Sequence, residues 1–406
     1  MLMKIFLLVF AFLGLPVLAD ESPPLMRNPS IPALVAEAKE FIAKETPEAI
    51  YKGSGKKRVL VGKESLRVTL SPSGALRVVR LNLIQAQKII IVKTKKGFRK
   101  KTIQVFELAS AFPPACIAEK LGGTGVNTNY RITCDGREEM VLAGRELITE
   151  GKPPWKTTLY VPYSDALATN ETVSLGEMYL RDQISKAAEN LRRKKVLSLA
   201  IPDKLVADII PEAIPFLLAL IEHIDHDEFK EHGAVYMMRK VLTQLGTNGP
   251  DTFIYARSRT GALCLMQIQP STYRGIQATY RKAKLPKSAV VGSCVSHELA
   301  IEVAYLVLDS KLADMPASFQ GKFLADPGSF GLYLAAAYNG GQKRASDLYL
   351  AEEGRQLGLL DVLKNLFAPL AQKKEKTGFN LILREETWIF IKKYFELSNI
   401  SDANEE

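Results

Sequence analysis

Glu222 closes the run Ile214-Pro215-Phe216-Leu217-Leu218-Ala219-Leu220-Ile221, which is apolar on every side. A helix apolar all round is buried within its domain. A carboxyl group at the end of such a helix is partly desolvated, which raises its pKa toward neutrality and suits it to general acid work. Directly after it, His223, His226 and His232 place three of the four histidines within ten residues, among Asp225, Asp227 and Glu228. His223-x-x-His226 sets two imidazoles on one helical face, a spacing that could serve zinc. The Glu, Glu228, falls outside that pair, so neither His-Glu-x-x-His nor His-x-x-Glu-His is present. The stretch reads better as a polar helix end, and His297, which stands alone, as a structural residue.

Three later segments carry a recognisable order. Thr260-Gly261-Ala262-Leu263-Cys264-Leu265-Met266-Gln267-Ile268-Gln269-Pro270-Ser271-Thr272 is followed by Ala336-Ala337-Tyr338-Asn339-Gly340-Gly341, then by Arg384-Glu385-Glu386-Thr387-Trp388-Ile389-Phe390-Ile391-Lys392-Lys393-Tyr394. These resemble the Gly-Leu-Met-Gln-Ile-x-Pro-x-Thr, Ala-Ala-Tyr-Asn-x-Gly and Glu-Thr-x-x-Tyr-Val-x-Lys motifs of SLT-type lytic transglycosylases, which have a goose-lysozyme-like fold. The resemblance covers residues 205–398. It departs from the pattern at Cys264, where the family has Gly, and at His223, where Ser usually follows the catalytic Glu. Counting back from Gly261 without a gap reaches Gly249, which has no side chain to serve, and Asp251 is the carboxylate nearest that position. Placing the acid at Glu222 therefore requires 249 − 222 = 27 additional residues ahead of Gly261.

The resemblance implies a single catalytic carboxyl group, assigned to Glu222. It protonates the glycosidic oxygen between N-acetylmuramic acid and N-acetylglucosamine, then takes the proton of the muramic O6 hydroxyl, and a 1,6-anhydro sugar results. The nucleophile belongs to the substrate, so the paired carboxylates of ordinary glycosidases are not required. By the same resemblance Tyr338 bonds near the acid or the reacting sugar. Gln267 and the Met266 backbone hold the sugar, Asn339 follows the tyrosine, and Ser258 matches the Ser ahead of the family's Gly-Ala. No cofactor or metal is implied. Two other readings stay open: a wall-binding scaffold without activity on the same fold, and a metal-dependent wall hydrolase.

The elements around these residues divide the chain. Residues 1–19 read as a signal peptide, with Lys4, the apolar run Ile5 to Leu13, and cleavage after Ala19. Residues 20–57 read as a lead-in containing one amphipathic patch, Ala33 to Ala43. Residues 58–163 alternate with period two and read as a basic β-rich domain whose basic residues point outward. A helical linker, 164–204, is marked by a Ser174-x-x-Glu177 capping box. The helical stripe of a transglycosylase domain fills 205–398, and 399–406 is a polar tail. The expected fold class is α+β, a small β-rich N-terminal domain followed by an all-α lysozyme-like domain.

Charge and cysteine narrow the partners. The chain carries 54 Lys and Arg against 44 Asp and Glu. Between Lys52 and Glu107 alone there are 15 basic and 2 acidic residues, a local +13. With export, that excess points to peptidoglycan glycan strands and, through the basic domain, to other anionic envelope polymers, and away from nucleic acid. No stretch implies a permanent membrane span. The four cysteines of an exported chain allow three pairings, of which spacing favours Cys116 with Cys134 and Cys264 with Cys294. The expected location is the periplasm or cell envelope.

Overall fold

The computed structural model describes residues 29–53, 58–94, 97–123, 125–149, 155–355 and 385–403. The signal peptide lies outside them. The N-terminal half is an antiparallel sheet of β1 (Ala49–Lys52), β2 (Val59–Leu70), β3 (Leu76–Thr94), β4 (Gly97–Phe112), β5 (Cys116–Gly122), β6 (Asn129–Cys134), β7 (Arg137–Ile148) and β8 (Lys156–Tyr160). Its path is β4-β3-β2-β7-β6-β5, with β1 beside β2 and β8 beside β7. The outermost strands, β4 and β5, are consecutive in sequence and joined by residues 113–115, which curls the sheet nearly shut.

Alternation along β2 sends Leu66 and Val68 to one face, where they meet Val35, Ala38 and Ile42 of α1 (Ile31–Ala43). The lead-in is thus an integral part of the β domain, supplying α1 and β1. The other face of β2 is the inside of the curl, which corrects the expectation that basic residues point outward: Lys63 and Arg67 are both buried there. Arg67 donates to Glu146 at 2.7 Å and to Ser65 Oγ at 2.6 Å. The buried charge is tolerated because a carboxylate is enclosed with it. Burial raises the Glu146 pKa, but the nearby Arg67 and Lys63 charges outweigh it and hold the carboxyl below its ordinary range. Cys116 and Cys134, paired in register across β5 and β6, form the first disulfide.

The C-terminal half is helical: α2 (Asn170–Arg193), α3 (Val206–Ile209), α4 (Ala213–Ile221), α5 (His226–Asn248), α6 (Pro270–Thr279), α7 (Ala289–Cys294), α8 (His297–Ala313), α9 (Ala317–Ala325), α10 (Pro327–Gly340), α11 (Gln342–Arg355) and α12 (Glu385–Ala403). The mixed architecture is therefore α+β. α2 is no mere linker, because Leu180, Ile184, Ala187, Ala188 and Leu191 lie in the same core as α4, α8 and α10. Nor does Ser174 cap it. The helix begins earlier, at Thr169, whose side chain accepts from the Thr172 amide, and Glu177 inside the helix pairs with Arg181 at 2.8 Å. The expected polar tail is likewise shorter, since α12 runs to Ala403, with Leu397 buried and Ile400 extending its apolar stripe.

α5 occupies most of the additional residues ahead of Gly261 and fastens the two halves together. Asn248 at its end exchanges two hydrogen bonds with the Val161 backbone, at 2.7 and 3.1 Å, and Lys39 of α1 donates to the Thr247 carbonyl at 2.6 Å. Among the described residues no helix is long and apolar enough to cross a membrane.

Candidate active site

α4 is buried at every position from Ile214 to Ile221. Its last turn closes on Glu222, whose amide bonds to the Leu218 carbonyl, and the chain turns through residues 222–225 into α5. Glu222 itself is half-buried. Desolvation pushes its pKa up to about 8, opposed by the positive charge of Lys393. The carboxyl at this helix end is held protonated at neutral pH.

The next residue ties α4 to the first motif. The His223 ring lies flat on Phe253, with centroids 3.5 Å apart and planes 4° apart, and its Nε2 is 2.9 Å from the Leu265 carbonyl. Burial drives the His223 pKa down to about 3, against hydrogen bonds to the Leu265 and Cys264 carbonyls. The ring is neutral, so Nε2–H is the donor to Leu265. His223 thus clasps the Leu265 loop to the turn that follows α4.

That loop is a tight turn in a small hairpin. The Gln267 amide bonds to the Cys264 carbonyl, the Leu263 amide to the Ile268 carbonyl, and Leu263 bridges Arg257 on the other side. Cys264 and Gln267 have φ of 55° and 45°, the left-handed region that favours glycine. Cys264 therefore holds a backbone form that a side chain ordinarily disfavours. Its disulfide to Cys294 ties the hairpin to the end of α7, as the spacing led one to expect.

The second motif approaches from α10. Tyr338 donates through its hydroxyl to the Met266 carbonyl at 2.7 Å, one residue along from the carbonyl held by His223. Its pKa is pushed well up by burial and by the charge of Glu222. Tyr338 and Met266 are therefore in contact, and Glu222 lies within electrostatic reach of Tyr338. Gln267 is adjacent, with its side-chain amide turned back onto the Cys264 carbonyl at 2.7 Å.

The third motif backs the site. α12 meets α10 at two glycines: a Cβ on Gly331 would stand 2.5 Å from the Tyr394 hydroxyl, and one on Gly340 would stand 2.6 Å from Thr387 Oγ1. This close approach carries Lys393 inward, 7% exposed, to donate to the Ile224 carbonyl at 2.6 Å. Desolvation lowers the Lys393 pKa to about 8, opposed by the charges of Asp225 and Glu222. Sequence reasoning missed Lys393 as a site residue. The signal was available, for it lies three residues after Phe390 and four before Leu397, on the buried stripe of α12.

Other candidates stand elsewhere. Ser258 is exposed, and its hydroxyl accepts from the Ala262 amide at 2.9 Å, so it shapes the hairpin turn. Asn339 is exposed beside Tyr338 at the end of α10. Asp251 is exposed in the turn Gly249–Asp251 that follows α5, and its charge acts on Lys39, Tyr160, Tyr179 and His297, a different neighbourhood. The His-rich stretch is divided: Asp225 caps α5 through the Asp227 and Glu228 amides, Glu228 pairs with Lys240, and the His232 ring lies against Tyr236. Among the described residues no three His, Cys, Asp or Glu side chains converge on a metal position. His297 is held between the Tyr179 hydroxyl at 2.9 Å and the Thr252 carbonyl at 2.7 Å, which suits a structural role. Two surface depressions, of about 500 and 420 Å³, lie away from Glu222, one beside Asp314 and Gln342 and the other beside Arg192 and Pro327.

No protein-family model, curated protein or solved structure matches this chain.

Proposed function

We propose that this protein is an exported peptidoglycan lytic transglycosylase that cleaves the bond between N-acetylmuramic acid and N-acetylglucosamine with Glu222 as its single acid and base. The observation that carries the reading is the carboxyl group at the end of a wholly buried helix, held near pH 8, beside Tyr338 and the Met266-Gln267 loop. The second and third motif segments supply Tyr338 and Lys393, which couple electrostatically to that carboxyl, and the first is tied to the adjacent His223.

Glu222 gives its proton to the glycosidic oxygen as the bond to the muramic C1 breaks. The lone carboxylate that remains is stabilised by the Lys393 charge. It then takes the proton of the muramic O6 hydroxyl as O6 bonds to C1. Glu222 is restored, no water is consumed, and the product carries a 1,6-anhydro ring. The pKa near 8 suits the first step, because the group must start protonated at the working pH. His223 and Tyr338 act on the loop backbone: with the Leu265 and Met266 carbonyls already engaged, the Gln267 segment is held at a fixed distance from the acid. The two disulfides suit an oxidising compartment.

Incubation with purified sacculi tests the reading. Wild-type protein and Asp251→Asn should release soluble muropeptides, and Glu222→Gln should release none. Activity that persists in Glu222→Gln and disappears in Asp251→Asn would move the acid to the ungapped position. Binding without release by the wild type would leave a scaffold.

A further inference from the structure

The sheet carries an arm. β2 pairs with β3 only as far as Ile84, opposite Gly62, whereas β3 and β4 continue to pair with each other out to Thr94 and Gly97. Ten residues of β3 beyond Ile84 therefore run as one half of a two-stranded ribbon, which at ~3.3 Å per residue extends about 33 Å. Over 85–94 and 97–106 the sequence holds five basic residues, Lys88, Lys93, Arg99, Lys100 and Lys101, and no acidic one. The same strands contain Ile89, Ile90, Ile91, Val92 and Phe98. Where the ribbon leaves the sheet, Ile84 is 50% and Ile89 is 65% exposed, beside exposed Lys88 and Lys100.

We infer that this arm is a docking element for an anionic phospholipid bilayer. Lysines along an edge strand by themselves discourage strand-to-strand association, and charge alone would serve a soluble polyanion. Neither accounts for an exposed Ile89 next to Lys88, nor for an exposed Ile84 at the root of the arm. A bilayer surface uses both kinds of residue: its negative potential attracts the cations, and its headgroup boundary accepts the apolar side chains. Along the arm β3 and β4 pair with each other only, beyond the last partner that β2 offers to β3. On the proposed function, docking of this kind would hold the catalytic half close to a membrane, and among the described residues no helix is long and apolar enough to span one.

Co-sedimentation of the full chain with extruded vesicles tests this. Phosphatidylcholine vesicles are compared with vesicles that also contain phosphatidylglycerol, and soluble polyphosphate is the competing probe. Wild-type protein should bind only the phosphatidylglycerol vesicles. Lys88→Gln, Lys93→Gln, Arg99→Gln, Lys100→Gln and Lys101→Gln together should lower that binding by on the order of 100-fold or more. Ile89→Thr with Ile91→Thr keeps every charge and the strand propensity, and should lower vesicle binding at least about tenfold while leaving polyphosphate binding unchanged. Replacing 86–105 by Asn-Gly, which joins the paired residues Gln85 and Phe106, should abolish vesicle binding with the thermal unfolding transition retained. The inference is overturned if wild-type protein binds polyphosphate but not the anionic vesicles. It is equally overturned if the threonine variant binds vesicles as tightly as wild type.

Discussion

Replacing Glu222 by Gln should make the protein more stable as it destroys the activity. In the folded chain the Glu222 carboxyl titrates near pH 8, against 4.5 for an ordinary glutamate, and its first cause is desolvation. The sign follows from proton binding. Between pH 4.5 and 8 the folded state keeps a proton that the unfolded chain has lost, so unfolding gains from ionisation and stability falls as pH rises through that window. At pH 7 the interval is 7 − 4.5 = 2.5, which at ~1.36 kcal/mol per pH unit withholds about 3 kcal/mol; at pH 5 the same reasoning gives under about 1 kcal/mol. Gln keeps the shape and cannot ionise. Urea unfolding of wild type and Glu222→Gln from pH 4.5 to 8 should therefore show curves that coincide in acid and separate as pH rises, with the variant more stable. Release of muropeptides from sacculi should fall by about 10²–10⁴-fold in the same variant. A variant that is no more stable than wild type at pH 7, with a difference independent of pH, would refute the desolvation argument.

Lys393→Met should move the alkaline limb of the kcat/KM profile upward, because the Lys393 charge holds Glu222 down, whereas Lys393→Arg should leave the limb in place; a lowered rate with an unmoved limb would reduce Lys393 to packing. Tyr338→Phe should leave the Met266 carbonyl without its donor, costing about 1–3 kcal/mol of stability and a rise in KM that substrate titration would reveal. Non-reducing peptide mapping should find Cys116 joined to Cys134 and Cys264 to Cys294, and Cys264→Ser with Cys294→Ser should lower the unfolding free energy by about 3 kcal/mol; free thiols in the mature protein would contradict the pairing.

Much of the helical half was legible because burial and periodicity agree there. The all-round apolar run before Glu222 needed no tertiary information to be read as a buried helix, and the cysteine spacing led directly to both disulfides. What escaped depends on partners distant in sequence. Arg67 alternates with Leu66 and Val68 as a solvated residue would, and only the near closure of the sheet, with Glu146 opposite, turns that face into an interior. Ser174 and Glu177 have capping-box spacing, but Thr169 offers an equivalent hydroxyl four residues after Asp165, before any helical residue has been committed, so the helix starts there. His223 looked like a departure from the Ser of the motif; its stack on Phe253 and its bond to Leu265 span 30 and 42 residues, which no local pattern records. Lys393 resembled a solvated lysine beside Lys392, and it is the contact of α12 with two glycines of α10 that draws it inward.

The central claim concerns where the glycan's new end comes from, so the most direct measurement is digestion of purified sacculi by the full chain in water enriched in oxygen-18, followed by mass spectrometry of the released muropeptides. Transfer to the muramic O6 through Glu222 predicts 1,6-anhydro ends carrying no heavy oxygen, and loss of those products in Glu222→Gln. Reducing ends labelled with oxygen-18 would show water as the nucleophile and contradict the account.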